Sequence, residues 1–335
     1  MMKTSSSSSS SSSSLLLGRR SLIVAAAGAV LARPSLAAGY PDKPLKIIVP
    51  YVPGGGADIL ARYMAQMLTA PLGQPVIVEN RGGAGGMIGV DVGLAAPADG
   101  SVLTLISSSY TVNPSLYKLK YDPVRDIVPI GQMSAGPLLV VVNAKSPIRT
   151  LADLAKAARA KPGQLTYASS GQGSALHLAA AQFARLAGVQ MNHIPYKGGG
   201  AALTDVMSGQ VDSYFAATAS AMPHVEAGRL RALAVTTTSR IASLPDVPTV
   251  AESGFPGYDV TLWYGLIGPN GLPPDIVRRV NAELGKILVL PATAEKFKAD
   301  GAVPSGGTPQ AFGSRIAREI ASWRDTVSAL NIKVE

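Results

Sequence analysis

The sequence predicts an α/β protein of two lobes, each a mostly parallel sheet flanked by helices, with a ligand cleft between the lobes. Three observations carry this prediction. Short β-branched runs alternate with helical stretches along the chain, the pattern of βαβ units and parallel sheets. The alternation runs to about residue 106 and begins again at residue 138. Glycine- and serine-rich turns stand at the strand ends of both halves, where open α/β sheets take their ligands.

Ile47, Ile48 and Val49 form a strand buried on both faces, ended by Pro50 and Pro53. Gly54, Gly55 and Gly56 then let the backbone turn into a helix. Its apolar stripe is Ile59, Leu60, Tyr63, Met64, Met67 and Leu68, with Asp58 placed to cap the first turn and Ala57 between glycine and cap. A glycine loop at a helix N-terminus leaves free N–H groups that suit an anion. Residues 75–78 read as a second strand, followed by the glycine-rich turn 80–86 and a helix to about Leu94. Asp99-Gly100 marks a turn, and the strand 102–106 ends in Ser107-Ser108-Ser109-Tyr110. The Gly54, Arg81 and Ser107 loops are therefore the ligand-facing ends of the first lobe.

The second set starts with a strand over 138–142. It continues as helix 150–160, strand 165–168, helix 174–186, strand 189–194, helix 201–207, strand 211–215 and strand 230–235. Its strand ends carry Ser169-Ser170-Gly171-Gln172-Gly173-Ser174 and Tyr196-Lys197-Gly198-Gly199-Gly200. Ser174 can cap the helix after it, and Gly171 and Gly173 allow a ligand close to the backbone. Two anion-friendly helix starts, one per lobe, would grip a dicarboxylate, or a carboxylate with a polar tail, at both ends. Residues 260–267 read as a strand returning to the first lobe. Helix 274–289 follows, then a helix capped by Thr308 with Pro309 in its first position.

The first 37 residues read as an export leader. A serine tract precedes Arg19-Arg20, an apolar run over 22–32 and the small-residue site Ser35-Leu36-Ala37. The Arg pair suits either the general or the twin-arginine route. The leader carries Lys3, Arg19, Arg20 and Arg33 and no acid, so its removal lowers the net charge from +9 to +5. No Lys/Arg run interleaved with aromatics occurs, which speaks against a nucleic-acid partner, and the mild positive field favours small anions. Absence of cysteine excludes disulfides, thiolate metal sites and thiol catalysis.

Catalytic groups are sparse. His177, His193 and His224 have no metal-binding spacing, and Ser170 and Ser174 do not sit in a GxSxG elbow. No phosphate-binding loop is present, because position 88 is Ile where a dinucleotide fingerprint begun at Gly83 needs glycine, and no GxxxxGK[ST] occurs. The expectation is a protein without cofactor, metal or catalytic residues. The alternative is an exported hydrolase or lyase using Ser170, Ser174 or His177.

Ordered blocks along nearly the whole mature chain resemble the substrate-binding receptors of tripartite tricarboxylate transporters, the Bug or TctC-like family. They are Tyr40-Pro41-Asp42-Lys43-Pro44, Pro53-Gly54-Gly55-Gly56-Ala57-Asp58, Val78-Glu79-Asn80-Arg81, Tyr121-Asp122-Pro123, His193-Ile194-Pro195-Tyr196-Lys197-Gly198, Gly209-Gln210-Val211-Asp212 and Leu244-Pro245-Asp246-Val247-Pro248-Thr249. The resemblance implies a type II periplasmic-binding-protein fold closing on one small organic solute. It further implies that backbone N–H groups and waters at the loops Gly54 to Asp58 and Ser169 to Ser174 hold a carboxylate. It places lobe 1 at 38–139 plus 263–335 and lobe 2 at 140–262, with hinges near 139 and 263. It implies a periplasmic monomer whose partners are a small carboxylate and membrane transporter subunits. Tyr51, where relatives often carry Phe, offers a ring wall and a hydroxyl. Ala216-Ala217 stand where many relatives carry an acid or a polar residue, which argues against a ligand amine.

Overall fold

The computed structural model describes residues 39–330, so the expected leader lies outside the described residues. Strand β1 (Leu45–Val49) leads into helix α1 (Gly56–Leu72), β2 (Val76–Asn80), a 3₁₀ turn (Ala84–Gly86), α2 (Met87–Leu94), β3 (Val102–Ser107) and α3 (Ser109–Leu116). A strand of 17 residues, β4 (Ile127–Asn143), comes next. The chain continues with α4 (Leu151–Ala160), β5 (Thr166–Ser169), α5 (Ala175–Ala187), β6 (Asn192–Pro195), α6 (Gly199–Ser208), β7 (Ser213–Ala217), α7 (Thr218–Glu226) and β8 (Leu230–Val235). It closes with β9 (Thr261–Pro269), α8 (Pro274–Leu288), α9 (Pro291–Ala299), β10 (Val303–Pro304) and α10 (Pro309–Leu330).

The strand order is β2-β1-β3-β9-β4-β7-β5-β6, with β8 and β10 also paired to β4. Strands β2, β1 and β3 are parallel at one end, and β7, β5 and β6 at the other. Between them β9 and β4 run antiparallel to their neighbours. Strand β4 belongs to both halves: its first part pairs with β9 and β10, its second with β7 and β8.

Sequence reading finds only 138–142 of β4, because Pro129, Gly131, Gly136 and Pro137 argue against a strand interior. The structure accommodates the first of them with register shifts at Pro129/Gly131 and Gln132/Ser134. The short helices α3 and α7 lack an apolar stripe and contain Pro114 and Pro223, so they too escape the pattern. Helix α9 follows α8 directly, with Pro291 opening it.

Separate cores support the two ends. One gathers residues 138–142 of β4 with Phe183, Tyr214, Phe215 and Tyr258. Another packs β1 and β3 against Met64 and Leu68 of α1 and Val280 and Leu284 of α8, with Trp263, Phe312 and Ile316 in a third cluster beside it. The tail of α10 reaches further, joining Val112 of α3 and Leu178 of α5 through Val327. Capping follows the expected chemistry at α4, where Thr150 and Asp153 form a reciprocal capping box, and at α10, where Thr308 accepts from the Ala311 N–H. Among the described residues no helix is long and apolar enough to cross a membrane.

Candidate functional site

Five helices begin at the wall of one cavity. Gly56 and Ala57 of α1 with its N-cap Gly55, Ser109 of α3, Leu176 of α5, Gly199 of α6, and Ser220 of α7 with its N-cap Ala217 line it. Tyr51, Ser107, Ser170, Tyr214, Leu262 and Tyr264 complete its wall, and every lining side chain is uncharged. The first amides of an α-helix lack partners within the helix and carry partial positive charge, so such a wall attracts an anion through backbone alone.

The α1 start differs in detail from expectation. Only Gly54 of the three glycines has a positive φ, +85°. Gly55 is the N-cap in an extended conformation, so its lack of a side chain matters for space, with Gly199 of α6 opposite. A Cβ on Gly56 would stand 2.8 Å from Ala217 Cβ and 2.9 Å from the Tyr264 hydroxyl. Asp58 does not cap the helix and does not line the cavity. Its carboxylate reaches back to the Gly54 N–H at 3.1 Å and takes hydrogen bonds from Arg62 Nε at 3.1 Å and Asn80 Nδ2 at 2.9 Å. Burial alone would raise its pKa, but the bonds from Arg62, Gly54 and Asn80 hold it below the ordinary carboxylate value.

At the end of β3 the Tyr51 hydroxyl meets Ser107 Oγ at 2.9 Å, and burial pushes the Tyr51 pKa up despite that bond. Ser108 is buried with an unpartnered hydroxyl and does not line the cavity; Ser109 takes the place beside Ser107 in the wall. Ser109 Oγ accepts from the Ala175 N–H at 2.9 Å, joining α3 to the start of α5.

The loop before α5 is built from behind. Ser169 is fully buried and away from the cavity; its Oγ lies 2.6 Å from His193 Nε2 and accepts from the Gly171 N–H at 3.1 Å. Gly173 donates its N–H to His177 Nδ1 at 3.1 Å, and Ser174 caps α5 by accepting from the His177 N–H at 3.2 Å. The His177 and His193 rings stack 3.8 Å apart, with the Tyr167 ring beside both, 5.0 Å from His193 and 6.1 Å from His177. Burial lowers the His177 pKa to about 4, and burial with the His177 neighbour lowers that of His193 to about 3. Both are neutral supports of the loop. Gly171 lines a neighbouring cavity of about 210 Å³, shared with Tyr51, Ser170, Tyr196 and Lys197.

The cavity thus gathers Tyr51, Gly55, Gly56, Ala57, Ser107, Ser170 and Ala217 of the expected residues, while Asp58, Ser108, Ser169, Gly171, Gly173 and Ser174 stand outside its wall. Sequence reading did not single out Ser109, Leu176, Gly199, Tyr214, Ser220, Leu262 and Tyr264. Gly199 had a signal in the Gly198 to Gly200 run, whereas Tyr214 and Tyr264 sit inside strands with nothing local to mark them. Among the described residues no group of three or more His, Asp or Glu is placed to hold a metal. Ser174, as a buried helix cap, and His177, in its ring stack, form no nucleophile pair facing the cavity.

The chain also has identifiable relatives. A family model described as "Tripartite tricarboxylate transporter family receptor" matches residues 60–332. Protein BugT of Bordetella pertussis is 37% identical over 310 residues, covering 92% of this chain and 95% of BugT. Among solved structures, Rpa4515 of R. palustris with adipate is 33% identical with a TM-score of 0.85, covering 88% of this chain and 99% of that one. The periplasmic binding protein BugD is 31% identical, again with a TM-score of 0.85, over 88% of this chain and 100% of BugD. The family and these neighbours are substrate-binding receptors and not enzymes, which removes the hydrolase alternative. The fold is that of a two-lobed type II periplasmic binding protein, and the chain belongs to the Bug or TctC-like family of tripartite tricarboxylate transporter receptors.

Proposed function

We propose that this receptor captures a small organic carboxylate in the periplasm and delivers it to a tripartite membrane transporter. The observation that carries the proposal is the convergence of five helix N-termini on a cavity without a charged side chain. A carboxylate placed there neutralises the helix ends and accepts their free N–H groups. An ammonium group would find no acid in the wall, so simple amines are excluded. The adipate bound to Rpa4515 supports the ligand class. Residues 1–37 act as the export leader, lobe 1 is 38–139 plus 263–335, lobe 2 is 140–262, and the lobes hinge near 139 and 263. The receptor works as a monomer, the closed lobes forming the surface that the transporter subunits recognise.

A thermal-shift screen over mono-, di- and tricarboxylates, with amines of matched length as controls, tests the reading. A carboxylate at about 100 times its dissociation constant stabilises the fold by roughly 2.7 kcal/mol, which raises the melting temperature by several degrees. No shift with any carboxylate, or a shift with the amines, removes the proposal.

A further inference from the structure

The geometry points to Tyr214 as a ligand-contacting residue, whose hydroxyl donates a hydrogen bond to an oxygen of the bound solute and selects for an oxygen at that place. This inference rests on the carboxylate-receptor reading and adds a side-chain determinant to a site otherwise read by backbone. Tyr214 lies on β7, is fully buried, lines the cavity, and has no hydrogen-bond partner for its hydroxyl among the described residues. A Cβ on Gly199 would stand 3.0 Å from that hydroxyl, so it sits at the start of α6, on the side where Gly199 faces Gly55.

Most other hydroxyls of the wall are committed. Tyr51 and Ser107 bond each other, Ser109 takes the Ala175 N–H, and Ser220 donates to the Ala217 carbonyl. Tyr214 therefore has its full donor capacity facing the void, while Tyr264, also in the wall, packs against both main cores. Buried hydroxyls are almost always paired in folded proteins, because the unpaired group loses its water without compensation. Phenylalanine would fill the same volume without that cost. A group of this kind is explained if its partner arrives with the solute. Burial raises the pKa of Tyr214, which keeps the phenol protonated and able to donate. A site built to satisfy such a donor rejects an analogue that places a methylene against it, since the hydroxyl is then left unpaired.

The test compares wild type with Tyr214→Phe by titration calorimetry against succinate, glutarate, adipate, butyrate, pentanoate and hexanoate, alongside the melting temperature of each protein without ligand. The expected result is a loss of about ten- to a hundredfold in affinity for whichever of these binds wild type most tightly, with the ligand-free melting temperature unchanged or higher. A merely structural role would give the reverse, a lower melting temperature with affinities retained. Equal affinities in the two proteins would overturn the inference and leave the receptor reading intact. If none of the six binds wild type, the same pair of titrations is made with the most stabilising carboxylate of the thermal-shift screen, and only if no carboxylate binds does the carboxylate reading fall and this inference with it.

Discussion

Ser109 Oγ, in the first residue of α3, accepts a hydrogen bond of 2.9 Å from the backbone N–H of Ala175, the first residue of α5. One helix belongs to the β1-β3 side of the cleft and the other to the β5-β7 side, so this bond spans the two lobes. Tyr117 makes a parallel link, donating to the Gln172 carbonyl at 2.8 Å, and the Val52 N–H reaches the Lys197 carbonyl at 3.4 Å. Together these bonds hold the two sides of the cavity wall against each other. Removing the Ser109 hydroxyl takes away one clasp worth about 1 kcal/mol. Ser109→Ala is expected to shorten the residence time of a bound carboxylate by roughly fivefold, with little change in association rate, when followed by stopped-flow displacement.

Space across the cleft is set by glycine. A valine at position 56 would press its Cβ to within 2.8 Å of Ala217 Cβ, and the two sides of the cleft would have to move apart. Gly56→Val is expected to fold, to show no carboxylate-dependent rise in melting temperature, and to keep the same radius of gyration with and without ligand. Wild type should contract on binding, because only the closed form offers both sets of helix ends. Gly171→Val should behave similarly for a different reason, since its φ of +139° is strained for a β-branched residue. A ligand-dependent contraction in Gly56→Val would show that the opposed Gly56 and Ala217 do not control closure.

Asp58 organises the first loop without touching the cavity. Its side chain is 6% exposed, and truncation would leave the Gly54 N–H without its acceptor and Asn80 Nδ2 with only the Tyr51 carbonyl. Asp58→Ala is expected to lower stability by about 2 kcal/mol and to weaken carboxylate binding at the same time. Asp58→Asn should retain part of both, as measured by denaturant unfolding and calorimetry. Unchanged binding in Asp58→Ala would show that the loop holds its shape unaided.

Acid should destabilise the second loop. The folded-state pKa values of about 4 for His177 and about 3 for His193 lie below the ordinary 6.5, so the unfolded chain takes up protons first as the pH falls. The stabilisation is present above pH 6.5 and drains away as the pH falls from there to about 4 for His177 and about 3 for His193. A melting temperature roughly 5 °C lower at pH 5 than at pH 7 is expected, and His193→Phe should reduce that difference. An unchanged difference in His193→Phe would assign the acid sensitivity elsewhere.

Much of this architecture was legible because it is written in short local signals. The β-branched runs at Ile47 and Ile106 and the caps at Ser174 and Thr308 each identify an element by neighbours in sequence. What escaped depends on distance. Strand β4 hides behind Pro129 and Gly131 because its pairing with β9 is made by residues more than a hundred positions away. Ser108 and Ser109 are equivalent in a serine run until the fold buries both and gives only Ser109 a partner, the Ala175 N–H. Tyr214 and Tyr264 read as ordinary strand aromatics, and only the folded cleft brings them into one wall. Asp58 looked like a cap by position, yet Gly55 holds that place and the carboxylate serves Gly54.

Capture without chemistry is tested by a calorimetric titration of the mature receptor with the most stabilising carboxylate, followed by release and chemical identification of the bound material. One equivalent bound per chain and the same compound recovered unchanged are expected. Saturation with no carboxylate, or recovery of a different compound, would contradict capture without chemistry.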